Sequence, residues 1–151
     1  MAAPYTYSFL DYYASIVGPG GGFNLAAGAG DAPEGITVEP MEDVDTMTIG
    51  ADGSGMHSLH ANKSGKVIVR LLKNSPTNEL LATMLAFQRT SGANAGQNTI
   101  TIVGKVSGDI ITCQMCAFSR VPNLAFAVEG GTIEWDFNSI LIDVGLGAGV
   151  T

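Results

Sequence analysis

The hydrophobic and polar positions of this chain alternate with a period of two along most of its length. From Thr132 to Asn138 the residues Thr132, Glu134, Asp136 and Asn138 fall on one side and Ile133, Trp135 and Phe137 on the other. Side chains alternate across a strand, so this segment predicts a strand with one dry face and one wet, acidic face, running on to Ile142. The same period appears in Asn98 to Val106, with Thr99 and Thr101 opposite Ile100 and Ile102. Lys66 to Lys73 and Asp109 to Phe118 also read as strands. Tyr5 to Val17 is aromatic and β-branched, and the run Gly18-Pro-Gly-Gly-Gly22 turns it toward a partner at Phe23 to Ala27. Gly28 to Gly35 reads as a loop, Ile36 to Glu39 and Leu124 to Val128 as short strands.

One segment carries the helical period instead. Ser75 is positioned to cap it, Pro76 suits its first turn and Glu79 complements its positive end. Leu80, Leu81, Met84, Leu85 and Phe87 form its apolar stripe, and Ser91-Gly92 ends it. Eight or nine strands and one helix predict a mainly β fold: two packed antiparallel sheets, sandwich or barrel-like, with one flanking helix. A length of 151 residues suits a single domain. From about Pro40 to Gly65 the chain is polar and alternating around Ala51-Asp-Gly-Ser-Gly55, which predicts a projecting hairpin.

Charge sharpens this picture. Only 14% of residues are charged, against about 25% in an ordinary soluble domain, while 46% are hydrophobic. So few charges suit a protein that hides much of its surface in an assembly. Asp31 to Asp52 holds seven acids and no Lys or Arg, whereas Lys63 to Lys105 holds six of the seven bases. Unlike ends favour head-to-tail association between copies. A net charge of −7 opposes stable nucleic-acid binding. The N-terminus lacks a secretory pattern, no run is long enough for a membrane helix, and two cysteines point to folding in a reducing cytoplasm.

Chemistry is sparse. His57-Ser-Leu-His60 and Cys113-Gln-Met-Cys116 could hold zinc, as in a small metal-binding β-domain. Each pair is three residues apart, and in a regular strand that spacing puts the side chains on opposite faces. Buried thiols and no metal site are therefore expected. The glycine runs lack the Lys and Ser/Thr of a phosphate loop. Glu134 and Asp136 share a face, as any wet strand allows, and no nucleophile with a base accompanies them. No catalytic residues and no cofactor are expected.

Several stretches together resemble a known family. They are Tyr5-Thr-Tyr-Ser-Phe-Leu-Asp11, Ile16-Val-Gly-Pro-Gly-Gly21, Glu34-Gly-Ile-Thr-Val-Glu-Pro40, Thr46-Met-Thr-Ile-Gly-Ala-Asp-Gly53, Met56-His-Ser-Leu-His60, Val69-Arg-Leu-Leu-Lys73, Gly108-Asp-Ile-Ile-Thr-Cys113 and Gly131-Thr-Ile-Glu-Trp135. Over nearly the whole chain they resemble the tail tube proteins of long, contractile-tailed bacteriophages. The resemblance implies a structural virion protein, assembled in the host cytoplasm, whose hexameric rings stack head to tail into a hollow tube. It implies sheath, tape-measure, baseplate and tail-terminator proteins as partners, transient passage of double-stranded DNA, and no membrane insertion. A ring sharing about 24 strands at ~4.8 Å spacing and ~40° tilt has a backbone radius of about 25 Å, wide enough for a duplex. Thr132, Glu134, Asp136 and Asn138, with Thr99 and Thr101, are the candidates for the lumen wall. Glu42, Asp43, Asp45, Asp52, Met56, His57, His60, Lys63 and Lys66 are the candidates for contacts between subunits and rings. Type VI secretion and contractile bacteriocin tubes, which carry effectors, are the related alternative.

Overall fold

Among the described residues, nine strands and one α-helix follow one another along the chain. In order they are β1 (Tyr12–Gly18), β2 (Gly21–Asn24), β3 (Asp31–Pro40), β4 (Asp45–Ile49), β5 (Gly55–Leu59), β6 (Gly65–Leu72), α1 (Thr77–Gln88), β7 (Asn98–Gly104), β8 (Ile110–Phe118) and β9 (Thr132–Gly145). The computed structural model describes residues 12–25, 31–104 and 108–147. The predicted strand residues Tyr5 to Asp11, Ala26 and Ala27, and Lys105 and Val106 lie outside them. Two antiparallel sheets result: a seven-stranded one ordered β2-β1-β7-β8-β9-β6-β3, and the two-stranded hairpin β4-β5. Among the described residues the larger sheet does not close into a barrel.

Alternation builds the core. Val67, Val69 and Leu71 of β6 and Ile133, Trp135 and Phe137 of β9 are buried, and their register pairs them as Leu71–Ile133, Val69–Trp135 and Val67–Phe137. Phe118 of β8 packs on both aromatic rings, with centroids 5.9 Å from Trp135 and 4.6 Å from Phe137. The same cluster takes in Ile16 of β1, Ile100 of β7, and Leu81, Met84 and Leu85 of α1. Seven strands span about 29 Å, whereas a helix is only ~10 Å across. The helix alone therefore cannot dry the whole face, and the sheet has to curve over its own apolar side.

The helix departs from its predicted details. Pro76 occupies the N-cap, and Ser75 lies one residue earlier, its hydroxyl accepting a hydrogen bond from the Thr77 amide at 3.3 Å. Leu80 and Phe87, expected in the stripe, are exposed at 47% and 40%. The buried stripe is narrower, because only Leu81, Met84 and Leu85 meet the sheet. Asn78 ties the helix start to the core, accepting from Trp135 Nε1 at 2.9 Å and donating to the Leu72 carbonyl at 2.9 Å.

Two strand predictions are corrected. Asp31 to Gly35, read as loop, belongs to β3, where Asp31 pairs with Leu71 and the register shifts before Ile36. An edge strand tolerates Pro33 and a bulge, so pairing with β6 overrides the local turn signal. Leu124 to Val128, read as a strand, forms none; 119–131 is an irregular connection between β8 and β9.

The opposite-face expectation for the cysteines also fails. Ile100 pairs with Cys113 and Asn98 with Cys116, so Gln114 and Met115 together stand opposite Thr99. Met115 takes a left-handed φ of 53°. This bulge turns the strand, so Cys113 and Cys116 both face inward, fully buried. Cys116 Sγ lies 3.2 Å from the Cys113 carbonyl oxygen. Burial pushes the Cys113 thiol up to about 12 and raises that of Cys116.

Two predictions follow from this packing. A Cβ on Gly65 would fall on the Glu39 carbonyl and Ile142 Cδ1, whereas one on Gly130 would meet nothing. Urea unfolding should show Gly65→Ala destabilised by about 1–3 kcal/mol, and Gly130→Ala unchanged within about 0.5 kcal/mol. The Cys113 thiol stays protonated up to about pH 12 when folded, while an unfolded thiol ionises near its ordinary 9. Its contribution is therefore complete below pH 9 and fades as pH rises toward 12. Melting curves of Cys113→Ala should lose less stability over that range than the wild type. Parallel losses would mean that the buried thiol ionises freely.

Candidate functional site

β9 positions the polar face. Thr132, Glu134 and Asn138 are exposed and Asp136 is half-buried, opposite the buried Ile133, Trp135 and Phe137. Pairing continues the face sideways. Asn138 stands beside Lys66, Asp136 beside Ile68 and Glu134 beside Arg70, while Thr37 and Glu39 of β3 flank Ile68 and Lys66. Following the registers across β8 places Thr101, partner of Thr112, and the outward-facing Thr99 on the same side. All six wall candidates thus share one face of one sheet.

That face is mixed in charge, although β9 alone reads as acidic. Arg70 lies with Nε 3.8 Å from Glu134 Oε2 and donates from Nη1 to Thr37 Oγ1 at 2.8 Å. Lys66, grouped from the sequence with the contact candidates, belongs to this face as well. Arg120 and Asn123 border a shallow cavity of about 270 Å³ with Thr132, Glu134 and Asp136. Asp136 Oδ1, shielded from water, accepts no hydrogen bond from any described residue.

The hairpin presents the second surface. Every residue from Met41 to Lys63 is exposed. The pairs are Asp45–Leu59, Thr46–Ser58, Met47–His57, Thr48–Met56 and Ile49–Gly55. One side therefore shows Met47, Ile49 and Leu59, exposed at 61%, 57% and 80%. His57 Nδ1 lies 2.7 Å from Asp45 Oδ2, and His60 Nε2 lies 2.6 Å from Thr46 Oγ1. At the tip Gly53 has φ 88°, and Asp52 Oδ1 accepts from the Ser54 hydroxyl at 2.6 Å and its amide at 3.1 Å, which holds the Asp52 carboxyl below its usual range. Glu42, Asp43, Asp45, Asp52, Met56, His57 and His60 all sit on this projection. Lys63 is at its root, where its carbonyl accepts from the Ile142 amide and its ammonium lies 3.8 Å from Asp143.

The two histidines stand on the exposed hairpin and the two cysteines in the core, so the four do not meet. Among the described residues no three His, Cys, Asp or Glu side chains group to hold a metal.

The 119–131 connection was missed from the sequence. Val121, Leu124, Phe126 and Val128 are exposed at 55%, 57%, 85% and 105%. Lys73 holds it from below, its Nζ bonded to the Ala125 carbonyl and 3.9 Å from the centroid of the Phe126 ring. The available signal is the bulky apolar series Leu124, Phe126 and Val128, spaced by alanines just past Pro122.

Comparison with known proteins bears on this architecture. No curated protein sequence matches the chain. Solved structures that resemble its fold include the following three. The tube-terminating cap of an anti-feeding prophage has a TM-score of 0.59 at 7% identity, covering 97% of this chain and 95% of that one. The sheath/tube terminator of an extracellular contractile injection system gives 0.60 at 9%, covering 95% and 99%. A chain of the sheath-tube complex of such a system gives 0.59 at 10%, covering 94% and 93%. The family model for the bacteriophage PhiTE tail tube protein matches residues 4–147. The chain therefore belongs to the PhiTE tail tube protein family of phage tail structural proteins.

Proposed function

We propose that this chain is the repeating subunit of a phage tail tube, with hexameric rings stacked head to tail and the polar face of β9 turned toward the bore. The family match over residues 4–147 carries this reading. A structural tube family also suggests a non-enzymatic role. The fully exposed hairpin supports stacking, since a two-stranded hairpin is marginal alone and needs a partner surface. In this reading the protein resides in the virion, is assembled in the host cytoplasm, and meets sheath, tape-measure, baseplate and terminator proteins.

The work of the wall is physical. A lumen of free Lys and Arg would hold phosphates and slow the duplex in a salt-dependent way. Arg70, the base at the centre of the face, is already engaged by Glu134 and Thr37. Thr132 and Asn138, both exposed, offer neutral polar groups that hydrate a passing strand without gripping it. A tube that conducts effectors is the second reading, favoured by the fold's likeness to contractile injection systems.

Two measurements test this. Negative-stain microscopy of concentrated protein should show six-fold rings and tubes. Replacing Val44 to Met56 by a short Gly-Ser turn should leave the melting curve nearly unchanged and abolish tubes. A monomer at every concentration and salt would refute the assembly. The wall is tested by Glu134→Lys with Asp136→Lys, which frees Arg70 and adds two cations. Virions carrying both should eject DNA several-fold more slowly at low salt, with recovery as salt rises. Ejection at the wild-type rate from fully assembled virions would place this face away from DNA.

A further inference from the structure

We propose that the β8–β9 connection is the seat for the β4-β5 hairpin of a second copy in the adjoining ring. This rests on the tube reading and names the surface that receives the hairpin.

The two surfaces lie at opposite ends of one strand. At the Gly65 end of β6, Pro40 pairs with Gly65 and the Met41 amide bonds the Ser64 carbonyl, which roots the hairpin. At the other end Leu72 pairs with Thr132 and the Lys73 amide bonds the Gly131 carbonyl, which roots the connection. Eight residues of strand separate them by about 25 Å. A hairpin rooted at one end does not cover a loop at the other, but a second copy placed end to end brings them together. A contact between two different patches of identical subunits either closes into a ring or runs on as an open stack, and patches at opposite ends of one strand suit the stack.

Their chemistries match. The hairpin offers Met47, Ile49 and Leu59 on one side, and the connection offers Leu124, Phe126 and Val128, all exposed. The hairpin brings Glu42, Asp43, Asp45 and Asp52 with no Lys or Arg from Met41 to Asn62. The receiving connection, residues 119–131, brings Arg120 and one acid, Glu129, with Lys73 bonded beneath it, while Glu134 and Asp136 of β9 border the cavity beside Arg120. Lys73 also prepares the seat. By bonding the Ala125 carbonyl and lying under the Phe126 ring, it holds that ring outward before any partner arrives.

The test is a disulfide panel in the full chain. Met47→Cys, Ile49→Cys and Leu59→Cys are each combined with Leu124→Cys or Val128→Cys, and assembled tubes are mildly oxidised. The native thiols are buried. At least one pair should yield a ladder of linked chains on a non-reducing gel, absent from every single variant. Phe126→Ser, at an exposed position, should keep the wild-type melting curve and form rings that do not elongate. Tubes that form normally from Phe126→Ser, with no pair cross-linking above the single variants, would overturn the proposal while leaving the tube reading intact. Loss of rings as well as tubes would place the connection between neighbours of one ring and also overturn it. Failure of the wild type to assemble under any condition would remove the tube reading and this proposal together.

Discussion

The strand β9 is the constraint on which the rest depends. It pairs from Thr132 to Ser139 with β6 and from Phe137 to Gly145 with β8, and its odd-numbered residues from Ile133 to Phe137 close the core. A slip of one residue would carry Trp135 into water and Glu134 into the apolar cluster. Trp135 also connects layers, because its indole N–H is satisfied by Asn78, and Asn78 reaches back to the Leu72 carbonyl. The buried indole, the helix start and the end of β6 are thereby fixed by one side chain. The polar face follows from this arrangement, since whatever β9 does not bury it must display.

What the subunit leaves uncovered is as informative as what it buries. Interior burial is thorough around Phe137, while Leu59, Phe126 and Val128 stand in solvent. Isolated apolar residues on a surface are ordinary, but these gather on a hairpin and on an unstructured connection. The edges of the large sheet are handled differently. β2 is four residues long, and β3 carries Pro33, Pro40 and a register shift, all of which discourage indiscriminate pairing.

If the proposed tube turns this face to the bore, its mixed charge changes how a duplex would experience it. An acidic strand alone would repel phosphate. Beside β6 it becomes a strip in which Glu134 is answered by Arg70 and Asn138 lies against Lys66. Paired charges at short range largely cancel a Debye length away, about 8 Å at physiological salt. Such a surface offers a polyanion little to hold and little to push against.

Much of this was written in local periodicity. The alternation of Lys66 to Lys73, Asn98 to Val106 and Thr132 to Ile142 dictates strands, and the turn at Ala51 to Gly55 dictates the projecting hairpin, because neighbouring residues alone set those patterns. The helix is equally local in origin, though its buried stripe is not. Leu80 and Phe87 are as apolar as Leu81, and only the position of the sheet decides which of them is covered. Asp31 to Gly35 became strand because β6 lay within hydrogen-bonding reach. Cys113 and Cys116 came to share a face because pairing with β7 required a bulge and a left-handed Met115. Arg70 met Glu134 across 64 residues of sequence through strand register alone. A period along the chain fixes what each residue's immediate neighbours determine. Which face is dry, where an alternation breaks and which charges cancel depend on the strand lying alongside, and only the tertiary structure supplies that.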